Sequence, residues 1–123
     1  MSDLLAGLRV LILEDEFLIA MDVEQLCREQ GAADAGIMRA MGEMSPEEAV
    51  NKYDAAVIDL MLGGNSTLDF AAKLADLGMP FVFASGYVDR DHIRTRFPGV
   101  RVVDKPYAGD DLVEALAQAS GRR

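Results

Sequence analysis

The sequence predicts an α/β fold built on a parallel sheet, and three observations lead there. Short, almost purely apolar runs recur at residues 10–13, 55–58, 81–84 and 102–103, with a weaker one at 35–40. Runs of this kind are expected of strands buried on both faces. Stretches with helical spacing separate them, so strand and helix alternate five times, as right-handed crossovers between parallel strands require. Four of the five runs lead into polar, reactive residues: Glu14-Asp15, Asp59, Ser85 and Asp104-Lys105-Pro106. In open parallel sheets ligands bind beyond the carboxyl ends of the strands, so these residues should meet on one edge.

Each element has its own justification. After the first run, Ile19, Val23, Leu26 and Cys27 recur at i, i+4, i+7 and i+8, an amphipathic helix closed by Gly31. Residues 35–40 form the second strand, interrupted by Gly36 and Arg39. Ser45-Pro46-Glu47-Glu48 starts the next helix: Ser caps, Pro fits the first helical position, and Glu48 completes a capping box. Leu68, Ala71, Ala72 and Ala75 mark the third helix, which stops at Gly78 before Pro80. Residues 88–99 are polar and contain Pro98-Gly99, with only Ile93 and Phe97 at helical spacing, so the fourth helix is expected to be short or irregular. Leu112, Ala115, Leu116 and Ala119 give the last helix, ending at Gly121.

Composition narrows the function. A chain of 123 residues, half of them hydrophobic, fits one domain spanning 1–123, without linker, repeat or low-complexity segment. No apolar stretch approaches the roughly 20 residues that cross a bilayer, and no basic segment leads into an apolar one near Met1, so neither a membrane span nor a secretory signal is expected. The single Cys27 cannot form an internal disulfide, which suits a reducing cytoplasm. A net charge of −9 argues against nucleic acid as a partner, because such surfaces need clustered cations. The nearest cluster, Arg90, Arg94 and Arg96, alternates with Asp89 and Asp91 and reads as a solvated face. The start at Met1 and the end at Gly121-Arg122-Arg123 lead to the expectation of a stand-alone domain.

The strand-end residues carry the chemistry. A phosphate cradle after the first strand would need Gly, Ser or Thr amides. Glu14 and Asp15 instead attract a hard cation, and Mg2+ fits best because it takes one or two carboxylates and keeps several waters. Glu16 continues the acidic run but is expected to face water near the start of the first helix. Asp59, at the end of the most apolar central strand, would join that pair if the first and third strands are neighbours. Such a like-charged cluster is costly unless a cation neutralises it. With the cation present, Asp59 becomes a nucleophile toward phosphorus. An isolated Asp more often starts a turn, and Ser85 and Lys105 decide between the two. On a phosphorylated Asp59 the cation would hold one oxygen, the Lys105 ammonium a second, and the Ser85 hydroxyl with the Gly86 amide a third. His92, Tyr53, Tyr107 and the scattered methionines (Met21, Met38, Met41, Met44, Met61 and Met79) read as surface, core or loop residues, and Cys27 as core packing.

Over essentially its whole length the chain resembles the receiver domain of bacterial two-component response regulators. The matching residues are Glu14-Asp15, Asp59, Ser85 and Lys105-Pro106. The resemblance implies a flavodoxin-like five-stranded parallel sheet of order 2-1-3-4-5 with helices on both faces. It implies Asp59 as phosphoacceptor, Asp15 and Asp59 as direct Mg2+ ligands, Glu14 as a ligand through water, and the Met61 backbone carbonyl as a further ligand. It implies a cytoplasmic signalling switch rather than an enzyme, with only self-catalysed phosphotransfer and dephosphorylation. The donor would be the phosphohistidine of a sensor histidine kinase or histidine phosphotransfer protein, and a downstream effector would read a monomer or weak dimer. Pro80-Phe81-Val82-Phe83-Ala84-Ser85-Gly86-Tyr87 is also similar to the signature of the FAT GUY subgroup, with Ser where Thr is usual, and Leu62-Gly63-Gly64-Asn65 resembles the same subgroup. Val102 stands where other receivers carry a switching aromatic, which moves the expected switch to Ser85, Gly86 and Tyr87. The alternative is a pseudo-receiver that binds proteins without taking phosphate. A Mg2+-dependent phosphatase would need an Asp two residues after Asp59, where this chain has Met61.

Overall fold

A computed structural model describes residues 3–86, 90–105 and 109–121. In chain order the elements are β1 (Arg9–Leu13), α1 (Phe17–Glu29), β2 (Asp34–Met38), α2 (Pro46–Lys52), β3 (Ala55–Asp59), β4 (Met61–Leu62), β5 (Asn65–Ser66), α3 (Leu68–Asp76), β6 (Phe81–Ser85), α4 (Arg90–Arg96), β7 (Val102–Asp104) and α5 (Gly109–Ala119). The main sheet has five strands in the order β2-β1-β3-β6-β7, all parallel. This is the expected 2-1-3-4-5 order once the two-residue strands β4 and β5 are set aside, and β1 and β3 are neighbours as the site requires.

Alternation along the buried strands divides the core in two. Val10, Ile12, Val57, Val82, Ala84 and Val103 pack with Val23 and Cys27 of α1 and with Leu112, Val113 and Leu116 of α5. Leu11, Leu13, Ala56, Ile58, Phe81 and Phe83 pack on the other face with Ala49 of α2, Phe70 and Leu74 of α3, and Ile93 of α4. Helices therefore cover both faces. Strands buried on both sides have no polar face to show, which is why their sequences are unbroken apolar runs.

Several local expectations hold. Ser45 caps α2, its hydroxyl accepting from the Glu48 amide at 3.1 Å while Glu48 returns a bond to the Ser45 amide at 3.1 Å. Helix α1 ends before Gly31, whose φ of 93° suits glycine. Other boundaries move. The second strand covers Asp34–Met38 rather than 35–40, so Arg39 and Ala40 lie beyond it. Close approach explains Gly36 within it: a Cβ there would sit 1.9 Å from the Tyr53 hydroxyl. Helix α4 is short, as expected, but regular over its seven residues. Its polar sequence is anchored by Ile93 and by Phe97 just beyond it, both buried, with the Phe97 ring 5.1 Å from Phe83 and 6.0 Å from Phe81 in edge-to-face contacts. Tertiary packing overrides weak local propensity there. Met38 and Met79 are core residues, whereas Met21 and Met61 are about half exposed. No helix among the described residues is long and apolar enough to cross a membrane.

Candidate functional site

The carboxyl ends of β1, β3, β6 and β7 converge. Leu13 pairs with Ile58, Asp59 with Ala84, and Ser85 with Asp104, so the residues that follow each strand come to one edge. Glu14, the first residue past β1, is 2 % exposed, held by its amide bond to the Met38 carbonyl at 3.1 Å. Asp15 is exposed and Asp59 half-buried. These three residues each offer a carboxylate oxygen, and the oxygens lie within 4.8 Å of one another.

Lys105 stands against two of them. Its Nζ donates to Glu14 Oε1 at 2.6 Å and to Asp59 Oδ2 at 2.9 Å. The side chains are 15 %, 3 % and 14 % exposed respectively, so this is a nearly dry assembly in which one ammonium faces two carboxylates with a third close by. Burial pushes the Glu14 carboxyl above its ordinary value. Hydrogen bonds from Lys105 and from the Glu16 amide oppose the rise, and the charge of Asp59 adds to it. The cluster fits Mg2+ by its chemistry: an all-oxygen donor set with an excess of negative charge at an open edge.

The loop after β3 shapes this edge and was not expected from the sequence. Met61-Leu62 and Asn65-Ser66 form an antiparallel hairpin across Gly63 and Gly64, both at positive φ (59° and 83°). That geometry is a type I′ turn, and the Gly-Gly pair between short segments was its signal. The Met61 amide points to Asp59 Oδ1 at 3.4 Å, and the Gly63 amide donates to Asp15 Oδ2 at 2.9 Å. Thr67, also unforeseen, donates its hydroxyl proton to the Asp59 carbonyl at 2.6 Å.

Ser85 is buried at the end of β6, and its carbonyl accepts from the Lys105 amide at 2.9 Å, so the two residues share a backbone link. Gly86 follows, exposed, with open space where a Cβ would stand. Tyr87 and Pro106 lie outside the described residues. Val102, at the position that lacks an aromatic, is half-buried beside a cleft of about 370 Å³ lined by Ile93, Arg94, Gly99, Val100 and Arg101 as well as Val102 itself. Glu16 is exposed at the start of α1 without capping it. In the basic cluster Arg96 pairs with Asp69 at 2.8 Å and Arg94 with Asp91 at 3.9 Å, so neither charge stands alone.

Comparison with known proteins gives a consistent picture. No protein-family model matches the chain. It is 31 % identical over 117 residues to the transcriptional regulatory protein PdtaR of Mycobacterium tuberculosis, a match covering 93 % of this chain and 57 % of that one. The chain thus spans little more than half the length of the curated relatives it matches. Among solved structures it is similar to the receiver domain of the response regulator PhyR from Erythrobacter litoralis, with 30 % identity and a TM-score of 0.76 over 93 % of this chain and 90 % of that one. The response regulator PhyR from Brucella abortus aligns with a TM-score of 0.68 and 27 % identity, covering 96 % of this chain and 49 % of that one.

Proposed function

The chain belongs to the receiver domains of response regulators, and from that premise we propose that it is a switch thrown by phosphorylation of Asp59. The observation that carries the reading is the charge imbalance at the strand ends: Lys105 bridges Glu14 and Asp59 while Asp15 completes a three-carboxylate cluster. A cluster with more negative than positive charge is costly to hold together, and a bound cation relieves that cost. Glu14, Asp15 and Asp59, with the Met61 carbonyl, would hold Mg2+, Glu14 acting through water. When bound, Mg2+ offsets the carboxylate charge that would otherwise repel a phosphoryl group.

The donor is a phosphohistidine on a sensor kinase or phosphotransfer protein. An Asp59 carboxylate oxygen attacks phosphorus while the P–N bond breaks and its electron pair returns to the imidazole. The products are an acyl phosphate on Asp59 and a free histidine. Lys105 then leaves the Asp59 carboxylate for a phosphoryl oxygen, and the Ser85 hydroxyl and Gly86 amide take another. Because the Lys105 amide is bonded to the Ser85 carbonyl, movement of either residue is felt by the other. The switch runs through Ser85, Gly86 and Tyr87, and the cleft beside Val102 gives the fifth parallel strand room to repack. Its output passes to an effector protein in the cytoplasm, read from a monomer or weak dimer, and the sequence of residues 80–87 supports a place in the FAT GUY subgroup.

Intact mass after incubation with acetyl phosphate and Mg2+ tests the reading. One phosphoryl adduct is expected on the wild type and none on Asp59→Asn or in EDTA. A wild type that takes no phosphate would leave the pseudo-receiver reading, a protein-interaction module with an idle site.

A further inference from the structure

We propose that Thr67 is a positioning residue for phosphoryl transfer, acting on Asp59 through the backbone of the loop between them; this rests on the reading of Asp59 as the phosphoacceptor. Thr67 occupies the N-cap position of α3, where a Thr hydroxyl ordinarily accepts a bond from an amide of the first helical turn. It makes no such bond. The residue is fully buried, and its hydroxyl proton goes back to the Asp59 carbonyl at 2.6 Å, while its amide donates to the Leu60 carbonyl at 3.1 Å. The Leu68 amide is served by the preceding residue, Ser66, whose Oγ accepts it at 3.2 Å. At α2 the corresponding hydroxyl, that of Ser45, is used on its own helix. At α3 it has been diverted to the site.

The diversion has a mechanical consequence. Two bonds from one residue close the segment from Asp59 to Thr67 into a ring, and the β4–β5 hairpin lies within it. The hairpin carries the Met61 amide to Asp59 Oδ1 and the Gly63 amide to Asp15 Oδ2. The Asp59 carbonyl belongs to the peptide that leads into Leu60 and Met61. Fixing that carbonyl fixes the tilt of the peptide, and with it both the Asp59 carboxylate and the amides that orient two of the three acids. In-line transfer depends steeply on such placement. A hydroxyl that neither caps its helix nor faces solvent is explained by this task.

Three variants of the full chain test the proposal: Thr67→Val keeps the shape without the donor, Thr67→Ala also lacks the donor at smaller volume, and Thr67→Ser keeps the hydroxyl. The readouts are the phosphorylation rate at saturating acetyl phosphate with Mg2+, the half-saturating donor concentration, and the Met61 and Gly63 amide resonances. In Val and Ala the saturating rate should fall about tenfold through misplacement of the nucleophile, with the half-saturating concentration unchanged and both amides shifted. Ser should restore rate and resonances together. The proposal is overturned by hydroxyl-free variants that keep the wild-type rate, by Met61 and Gly63 resonances that stay in place, or by a Ser variant as slow as Val. Loss of urea resistance with a normal rate would mark the Thr67 hydroxyl as a structural tie only, and overturns it too. The two failures look different: if Asp59 is not the phosphoacceptor, the wild type itself takes no phosphate.

Discussion

Strands β1 and β3 are tied by charge at both ends, and the two ties are built on opposite plans. At their starts, the Arg9 guanidinium grips Asp54 through Nε at 3.1 Å and Nη2 at 2.9 Å, and the Arg9 amide adds a bond to the same carboxylate at 2.9 Å. Both side chains are open to water, 44 % and 36 % exposed, and the cation is paired directly with a single carboxylate at 2.9 Å. The hydrogen bonds and charge of Asp54 hold the Arg9 guanidinium above its ordinary pKa, and the charge of Asp34 adds to the rise. At the ends of the same strands, Lys105 meets two carboxylates in a nearly dry pocket with a third acid alongside. A balanced, solvated pair closes a structure. A desolvated group in which one ammonium lies between two carboxylates, with a third acid alongside, is the end where a cation or a phosphoryl group would change the balance most.

The largest effect should come from removing the Lys105 ammonium at the unbalanced end. Lys105→Met leaves Glu14 and Asp59 facing each other without a counter-charge, and breaking a buried pair in this way costs about 3 kcal/mol. Urea unfolding in EDTA should show the loss, and Mg2+ should recover more stability in the variant than in the wild type. Equal stability of variant and wild type would erase the contrast between the two ends.

A smaller effect of opposite sign is expected from Glu14→Gln. A carboxyl whose folded pKa is raised contributes stability that is present below its unfolded value of 4.5 and is lost as pH rises through the folded value. At neutral pH the ionised Glu14 therefore weighs against the metal-free fold, and Gln removes that burden. The urea midpoint in EDTA should rise at pH 7, by less than the Lys105 variant loses, and the gain should fade below the unfolded pKa. Mg2+ titration sharpens the point: Asp15→Asn should weaken binding about tenfold, and Glu14→Gln, acting through water, should weaken it less.

The smallest effect belongs to the balanced end. Arg9→Met should move the urea midpoint only slightly, and the difference should shrink further in high salt, because a solvated pair is screened. Phosphorylation of Asp59 should be untouched. A change in phosphorylation rate here would mean that the two ends are coupled along β1 and β3, and the division of labour would have to be redrawn.

How much of this was written in the chain can be traced residue by residue. The five parallel strands, the cap at Ser45, and the placing of Glu14, Asp15, Asp59, Ser85 and Lys105 at one sheet edge were legible in the residue pattern, whereas the strand order came only with the resemblance to receiver domains. A sheet buried on both faces forces unbroken apolar runs, and parallel strands all deliver their last residues to the same side. Helix α4 was legible only as a weakness, because its order comes from Phe97 packing on Phe81 and Phe83. The hairpin had a local signal in Gly63-Gly64 that the residue pattern of a loop concealed. Thr67 had the signal of an ordinary cap, and nothing local could show that its proton goes to Asp59 instead. For Lys105 the sequence addressed only the phosphorylated protein; that its ammonium here lies between Glu14, 91 residues away, and Asp59, 46 residues away, is likewise set by the fold. Strand ends are a consequence of periodicity, which each segment carries within itself. Which atom receives a particular proton depends on distances set by the packing of several segments at once, and only the assembled sheet decides it.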